Sequence, residues 1–241
     1  MITNSRRKLR FDISNLGLHA TALQRAKVQE RTNGLQRRIE SWRDVQAIYI
    51  PSVALLRGQV DSKEVSEVQA YDIQLWLPSA IGLRASCDQG LHESEWALRE
   101  AQANDALTTI RQHLRLDSFL TKRKKDWSRG VRANTRSQTV IMQNQLRLKA
   151  AVDRYRTAFN ALSVLEPLLG KPVYWRHALG PLLDDDIRGL PVDGLGEGRH
   201  TLSWIWTVQG VMGGGDQDPG LYNGMFIGKV DDRVTPTEIT I

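Results

Sequence analysis

Apolar residues recur about every seven positions in three stretches of the chain. Within the seven-residue intervals, further apolar residues often divide the spacing into four and three, which places them along one stripe of an α-helix. The pattern predicts long helices at about 20–49, 94–119 and 135–165. The stripe residues are Val28, Leu35, Ile39, Trp42 and Tyr49 in the first helix, Trp96, Ala103, Leu107, Ile110 and Leu114 in the second, and Ile141, Leu148, Val152, Tyr155, Phe159 and Leu162 in the third.

Such stripes are buried when they pack against another helix in the manner of a coiled coil. The second and third helices are separated by a short basic turn that ends in Gly130. We therefore predict a mainly α fold, either an antiparallel helical hairpin or a three-helix bundle that includes the first helix. Ser94 and either Thr135 or Ser137 are the candidate N-caps of the hairpin helices.

Composition shifts divide the chain into four parts. We expect a flexible basic N-terminus at 1–19, a helical domain at 20–170, an irregular helix and loop segment at 171–209, and a disordered tail at 210–241. Prolines and glycines interrupt the periodicity beyond Gly170. Leu202–Val208 alternates apolar and polar residues, which suits a strand, but seven residues equally allow the start of a helix.

Overall composition excludes several classes of protein. The 241 residues are 41% hydrophobic and 25% charged, as in an ordinary globular protein. No uncharged apolar run reaches the roughly 18–20 residues that span a membrane, so we expect no membrane association. The single cysteine, Cys87, permits no internal disulfide. With no secretory signal at the basic N-terminus, an intracellular location is expected.

Charge alternates in sign along the chain. The net charge is +6, made up of +7 for residues 1–60, −5 for 61–118, +9 for 119–160 and −5 for 161–241. The basic blocks suit a polyanion such as DNA, and the acidic blocks could also neutralise them within the same fold.

The densest basic cluster lies at the tip of the predicted hairpin. Its cations could contact phosphates, while Trp127 could stack on an unpaired base. If the third helix begins early, Arg129, Arg132 and Arg136 share one face. The alternative is a solvated tip whose cations pair with acids elsewhere and whose tryptophan packs on the core. The candidate nucleic-acid-binding residues are Lys122, Arg123, Lys124, Lys125, Trp127, Arg129, Arg132 and Arg136.

The sequence offers little for catalysis or metal binding. One cysteine and five scattered histidines lack the paired spacing of a zinc site. Asp184–Asp186 could hold Mg²⁺, but consecutive side chains diverge, and a solvated turn with a capping aspartate fits better. No nucleophile elbow, phosphate loop or dinucleotide fingerprint occurs. We expect no enzymatic activity, cofactor or small-molecule substrate.

A series of sequence blocks between about Leu35 and Trp206 resembles a known family in its order and spacing. The blocks are Gln46–Val53, Leu75–Ala80, Leu98–Leu107, Arg129–Arg136, Arg154–Arg156, Asp184–Leu190 and Gly196–Trp206. Together they resemble the C-terminal region of fungal transposase-like proteins of the Kyakuja–Dileera–Zisupton (KDZ) group, several of which carry cysteine-cluster domains. The resemblance implies a helical region downstream of an RNase H-like nuclease domain and of zinc-binding cysteine clusters, so it transfers no catalytic residue to this chain.

Beyond Trp206 the sequence departs from the family pattern of a long charged helix, which leads us to expect a truncated copy, a misjoined gene model or a decayed element without maintained activity. Two functions remain open at this point. The first is a non-catalytic, transposase-derived region that contacts DNA through the basic tip, with a nuclear location and Lys122–Lys125 as an import signal. The second is a helical interaction module that self-associates or binds a partner helix without nucleic acid.

Overall fold

The computed structural model describes residues 2–14, 16–17, 20–61, 69–127, 130–190 and 202–208, all within one compact unit, Met1–Gly210. These residues form seven α-helices and three single 3₁₀ turns, without a β-strand among them, so the predicted mainly α class is confirmed. The helices are α1 (Ile2–Ser14), α2 (Ala22–Tyr49), α3 (Val53–Asp61), α4 (Pro78–Ile81), α5 (Gln89–Trp127), α6 (Val131–Leu169) and α7 (Trp175–Ala178), and the 3₁₀ turns are Gly82–Arg84, Asp184–Asp186 and Trp204–Trp206.

The antiparallel hairpin of α5 and α6 is the main packing unit. The predicted stripes form its seam: Ala103, Ile110, Tyr155 and Leu162 are all fully buried there. Gly130, the residue before α6, has φ 88°, a backbone conformation that glycine adopts without strain and that closes the tight connection. At the other end Gly170 terminates α6 in the left-handed conformation.

Both hairpin helices are longer than predicted, with 39 residues each instead of spans at about 94–119 and 135–165. The basic residues of the tip are helical because lysine and arginine are good helix formers, whereas the sequence analysis had assigned them to the turn. The proposed caps are wrong because both helices begin earlier, at Gln89 and Val131. Gly130 is the N-cap of α6, and Ser94, Thr135 and Ser137 lie inside helices.

A second core forms where α2 meets α1. Leu35 and Ile39 of α2 pack with Leu9 of α1 and Leu75 of the connecting segment. The basic N-terminus expected to be flexible at 1–19 therefore includes a packed helix. Leu9 and the half-buried apolar residues Ile2 and Ile13 share one of its faces.

The buried stripe of α2 differs from the prediction at its end. Tyr49 is 66% exposed, and Gln46 is buried instead. The Gln46 amide donates to the carbonyl oxygens of Leu75 and Trp76, at 3.1 and 2.5 Å. Trp76 has φ 50°, in the left-handed region, so this amide stabilises an unusual turn of the connecting segment.

The segment after α7 packs along one side of the hairpin. Leu179, Leu182, Ile205 and Trp206 are buried in the hairpin core. Leu202–Val208 contains a 3₁₀ turn at Trp204–Trp206, so the strand interpretation is wrong. The predicted irregular C-terminal part is thus confirmed, while the tail predicted at 210–241 lies outside the described residues.

Candidate nucleic-acid interface

The candidate basic residues are brought together at the far end of the hairpin. Helix α5 carries Lys122–Lys125 in its last two turns, and α6 carries Arg132 and Arg136 in its first two. Trp127 is the last residue of α5, although its side chain lies outside the description. Arg129 also lies outside the described residues, whereas Arg132 and Arg136, four residues apart, share one face of α6.

The tip presents its cations to solvent. Lys122, Arg123, Lys125, Arg132 and Arg136 are exposed. The half-buried Lys124 donates from Nζ to the side-chain oxygen of Gln138, at 2.6 Å. None of these six cations forms an ion pair with another described residue. The tip therefore concentrates positive charge that the described part of the fold leaves uncompensated.

The apolar seam ends before the tip. Ile141 and Leu114 are its last buried apolar residues, and Asn144 lies beside them, 4% exposed. The Asn144 side chain contacts Nδ1 of His113 at 2.7 Å through its oxygen and donates to the His113 carbonyl at 3.0 Å. A buried amide of this kind fixes the register of two helices.

Beyond this pair the tip helices meet through polar residues. Continued beyond Leu114 and Ile141, the seam spacing reaches the polar residues Asp117, Thr121 and Lys124 of α5 and Ser137 and Asn134 of α6. Thr121 and Asn134 are exposed. Little apolar surface is buried there beyond the half-buried Leu120, so each helix of the tip depends mainly on its own backbone hydrogen bonds, and polar contacts such as Lys124 with Gln138 join the two.

Three further arginines gather near the base of the hairpin, and the sequence analysis missed them. Arg154 of α6 donates to Oγ1 of Thr109 on α5 at 3.0 Å. Burial, followed by the positive charges of Arg99 and Arg154, lowers the pKa of Arg7 to about 10. Two carboxylates offset part of this positive charge: Asp153 acts on Arg7 in the opposite direction, and Glu95 pairs with Arg99 at 3.0 Å. Helical spacing was the signal that could have found Arg154, whereas Arg7 needed the tertiary packing.

The other candidate residues do not form a catalytic or metal-binding site in the described part of the structure. Asp184–Asp186 forms a 3₁₀ turn in which Asp186 accepts from the Leu183 backbone N–H, at 3.0 Å, as a capping aspartate does. Asp184 pairs with Arg156 at 2.6 Å. Across the described ranges, no group of three or more histidine, cysteine, aspartate and glutamate side chains is placed to hold a metal ion.

One cavity, of about 380 Å³, lies beside Cys87 and His92 near the start of α5. Burial, together with the negative charges of Asp88 and Glu95, raises the pKa of the Cys87 thiol. The thiol therefore stays protonated at neutral pH and is a poor nucleophile or metal ligand.

Comparisons with protein-family models, with curated proteins and with solved structures gave no match to this chain. Among the described helices, none combines the length and apolar character that crossing a membrane requires.

Proposed function

We propose that the chain is a non-catalytic, transposase-derived helical region that contacts DNA through the tip of its α5–α6 hairpin. A nuclear location accompanies that role and is part of the proposal. The transposase origin rests on the ordered sequence blocks that resemble the KDZ group, and the DNA contact rests on the tip itself.

The observation that supports the DNA contact is the uncompensated charge of the tip. Five exposed cations and the half-buried Lys124 project from the ends of two adjacent helices, with no described carboxylate paired to them. The wider sequence strengthens the point, because residues 119–160 contain eleven basic and two acidic side chains. A surface of this kind releases counterions when it meets the phosphates of DNA, and that release drives binding.

Fluorescence anisotropy with a labelled 16-bp duplex, measured at several salt concentrations, tests the proposal. The test variant replaces Lys122, Arg123, Lys124 and Lys125 with alanine. Each lost phosphate contact is expected to reduce the slope of log K against log salt by about 0.9, so the variant should bind more weakly and with a flatter slope.

A matched control removes the same number of charges from α2. Arg25, Lys27, Arg37 and Arg38 are exposed there, and their replacement by alanine gives the same change in net charge. We expect the control to bind close to wild type. Equal losses of DNA affinity in the two variants would mean that net charge alone, and not the position of the cations, causes the effect. A folded wild type that fails to bind even at low salt would contradict the proposal.

A second candidate function is favoured by an apolar surface at the junction of α2 and α3. Val45, Ile48 and Tyr49 lie on one face of α2 and are 45–76% exposed, and Leu55 of α3 is 74% exposed. Exposed apolar groups of this kind mark protein interfaces. Self-association through this surface predicts a molecular mass that rises with concentration in light scattering, and an Ile48→Ser/Tyr49→Ser variant that stays monomeric.

A further inference from the structure

An arginine-rich face runs along α6 from the tip toward the base of the hairpin. Arg132, Arg136, Gln143, Arg147 and Arg154 follow one another at intervals of four, seven, four and seven residues. In a helix of 3.6 residues per turn, these intervals keep all five side chains on one face. We call these five residues the arginine face. The first four are exposed, and Arg154 is half-buried.

The contacts of Arg154 show which side of the hairpin this face occupies. Arg154 donates to Thr109 of α5, so the arginine face borders the flank of α5 that carries Thr109. The segment after α7 lies on the opposite flank, because Arg156 donates to the Leu182 carbonyl at 3.0 Å and Arg111 to the Ile205 carbonyl. The arginine face is therefore turned away from the segment that completes the hairpin core.

The end of the face at the base of the hairpin carries unsatisfied donor capacity. Nε of Arg154 is buried and has no hydrogen-bond partner among the described residues. Arg7 adds a positive charge close to this end of the face, whereas the charge of the nearby Arg99 is neutralised by Glu95. Along the face itself, the sequence contains no acidic residue between Asp126 and Asp153.

We propose that duplex nucleic acid lies along the arginine face, from Arg132 at the tip to Arg154 at the base, and does not stop at the tip. The inference rests on the proposed function and extends it. The interval of 22 residues from Arg132 to Arg154 rises by about 33 Å along the helix axis, close to the roughly 34 Å of one turn of B-form DNA. The two ends of the arginine face therefore reach phosphates about one turn apart.

Two features favour a duplex over a single strand. Arginine suits the fixed phosphate positions of a duplex backbone, because its guanidinium binds phosphate oxygens through two parallel hydrogen bonds. Single-strand binding instead relies on aromatic side chains that stack on bases, and the arginine face has none.

The neighbouring cations Arg147 and Lys149 provide a matched pair of substitutions. Both are exposed and two residues apart on α6, and Lys149 lies seven residues before Arg156, on the flank where the segment after α7 packs. We expect Arg147→Gln to weaken binding of a 16-bp duplex about three- to tenfold near physiological salt, and to reduce the salt slope by about one. Lys149→Gln should change the affinity less than twofold.

A gain-of-binding pair keeps the test independent of any loss of folding. Gln143→Arg adds a cation to the arginine face, whereas Gln145→Arg adds one on the opposite side of α6, and both positions are exposed. The first should tighten duplex binding severalfold, and the second should tighten it less. The same variants measured with a single-stranded 16-mer should show smaller differences.

The possible failures can be told apart. If Arg147→Gln and Lys149→Gln bind alike, and Gln143→Arg gains no more than Gln145→Arg, the arginine face is not the binding surface. The tip proposal then survives provided that the Lys122–Lys125 alanine variant is still weakened. If the wild type does not bind duplex, or binds the single strand equally well with the same pattern of variants, the duplex assignment is wrong.

Discussion

The hydroxyl of Tyr155 joins the hairpin to the segment that follows α7. The side chain is fully buried in the seam, and its hydroxyl donates to the Gly180 carbonyl at 2.7 Å. Burial raises the pKa of this phenol above its ordinary value, because the phenolate would lose its hydration in the core. The Tyr155 hydroxyl thus satisfies the Gly180 carbonyl and also makes the free energy of unfolding depend on pH.

Replacing Tyr155 with phenylalanine should cost about 1–3 kcal/mol near neutral pH, because the Gly180 carbonyl loses its partner. Above about pH 10 the unfolded chain releases the phenolic proton that the folded chain keeps, so the stability of the wild type falls as pH rises. Urea unfolding at pH 7 and pH 10.5 should therefore show that the gap between wild type and variant narrows.

Tyr174→Phe is the control for this pH dependence, since Tyr174 is 77% exposed. The free energy of unfolding of Tyr174→Phe should equal that of the wild type at both pH values. A Tyr155→Phe variant with the same alkaline loss as wild type would mean that other groups, such as lysines, cause it.

Glu95 is a second residue on which several contacts converge. Its carboxylate is 7% exposed and accepts from the Ser79 N–H at 2.7 Å, the Ser79 hydroxyl at 2.8 Å and Nε of Arg99 at 3.0 Å. It therefore anchors the start of α4 to α5 and neutralises a buried arginine that already lies near Arg7.

Glu95→Gln should cost on the order of 3–5 kcal/mol, because it leaves the charge of Arg99 buried without its counterion. Adding Arg99→Met in the same chain should recover part of that loss, and thermal unfolding of the single and double variants measures the coupling. Strictly additive effects would show that the two side chains act independently.

At the scale of elements, the seven-residue spacing predicted the buried seam of the hairpin, and every apolar stripe residue quoted for α5 and α6 is buried or half-buried. The helix ends were predicted less well. A run of lysine and arginine carries no signal that separates a helix end from a turn, and only Gly130 interrupts the helical propensity.

The seven-residue spacing of apolar residues also did not predict the packed N-terminal helix or the buried Gln46. Leu9 is buried only because α2 lies beside it, and Gln46 is buried only because the turn at Trp76 offers two carbonyl oxygens. Both depend on partners distant in sequence, which periodicity along one helix does not record.

The polar seam of the tip predicts uneven stability along the two long helices. Backbone amides at 118–127 and 131–138 should exchange with deuterium much faster than those at 103–114 and 151–165, because opening the tip exposes little apolar surface. Hydrogen exchange followed by mass spectrometry measures the difference.

A matched variant tests the cause of that unevenness. Thr121→Leu/Ser137→Leu places apolar groups at positions that continue the seam spacing, and it should slow exchange at the tip while leaving the base unchanged. Uniform exchange along both helices of the wild type would contradict this account.

At the scale of the whole molecule, the hairpin core is completed by residues far along the chain. Ile205 is fully buried against the hairpin, and the indole N–H of Trp206 donates to the Arg188 carbonyl at 3.0 Å.

Ile205→Ala should lower the free energy of unfolding in urea by about 2–5 kcal/mol. Leu202→Ala, at a position 48% exposed, should change it by no more than about 0.5 kcal/mol. Equal effects would mean that the burial of Ile205 contributes nothing to stability.

The charge pattern shows how much of the candidate site the sequence could reveal. The sequence shows the four consecutive basic residues Lys122–Lys125 directly. It also predicts that Arg132 and Arg136 lie near them, because they are close along the chain. The extension to Arg147 and Arg154 follows from helical spacing within the predicted third helix, but the sequence analysis considered only the dense cluster near the turn. The addition of Arg7 and Arg99 depends on how separate helices pack.

The contact between Arg111 and the Ile205 carbonyl joins residues 94 positions apart, whereas the hairpin seam joins two helices that are neighbours in sequence. Contacts that are local along the chain form sooner than distant ones, since a short loop loses less entropy on closing. During synthesis at about 5–20 residues per second, the hairpin emerges several seconds before Ile205 does. For that interval its seam has an uncovered apolar flank, and a nascent chain in this state is a natural substrate for chaperones.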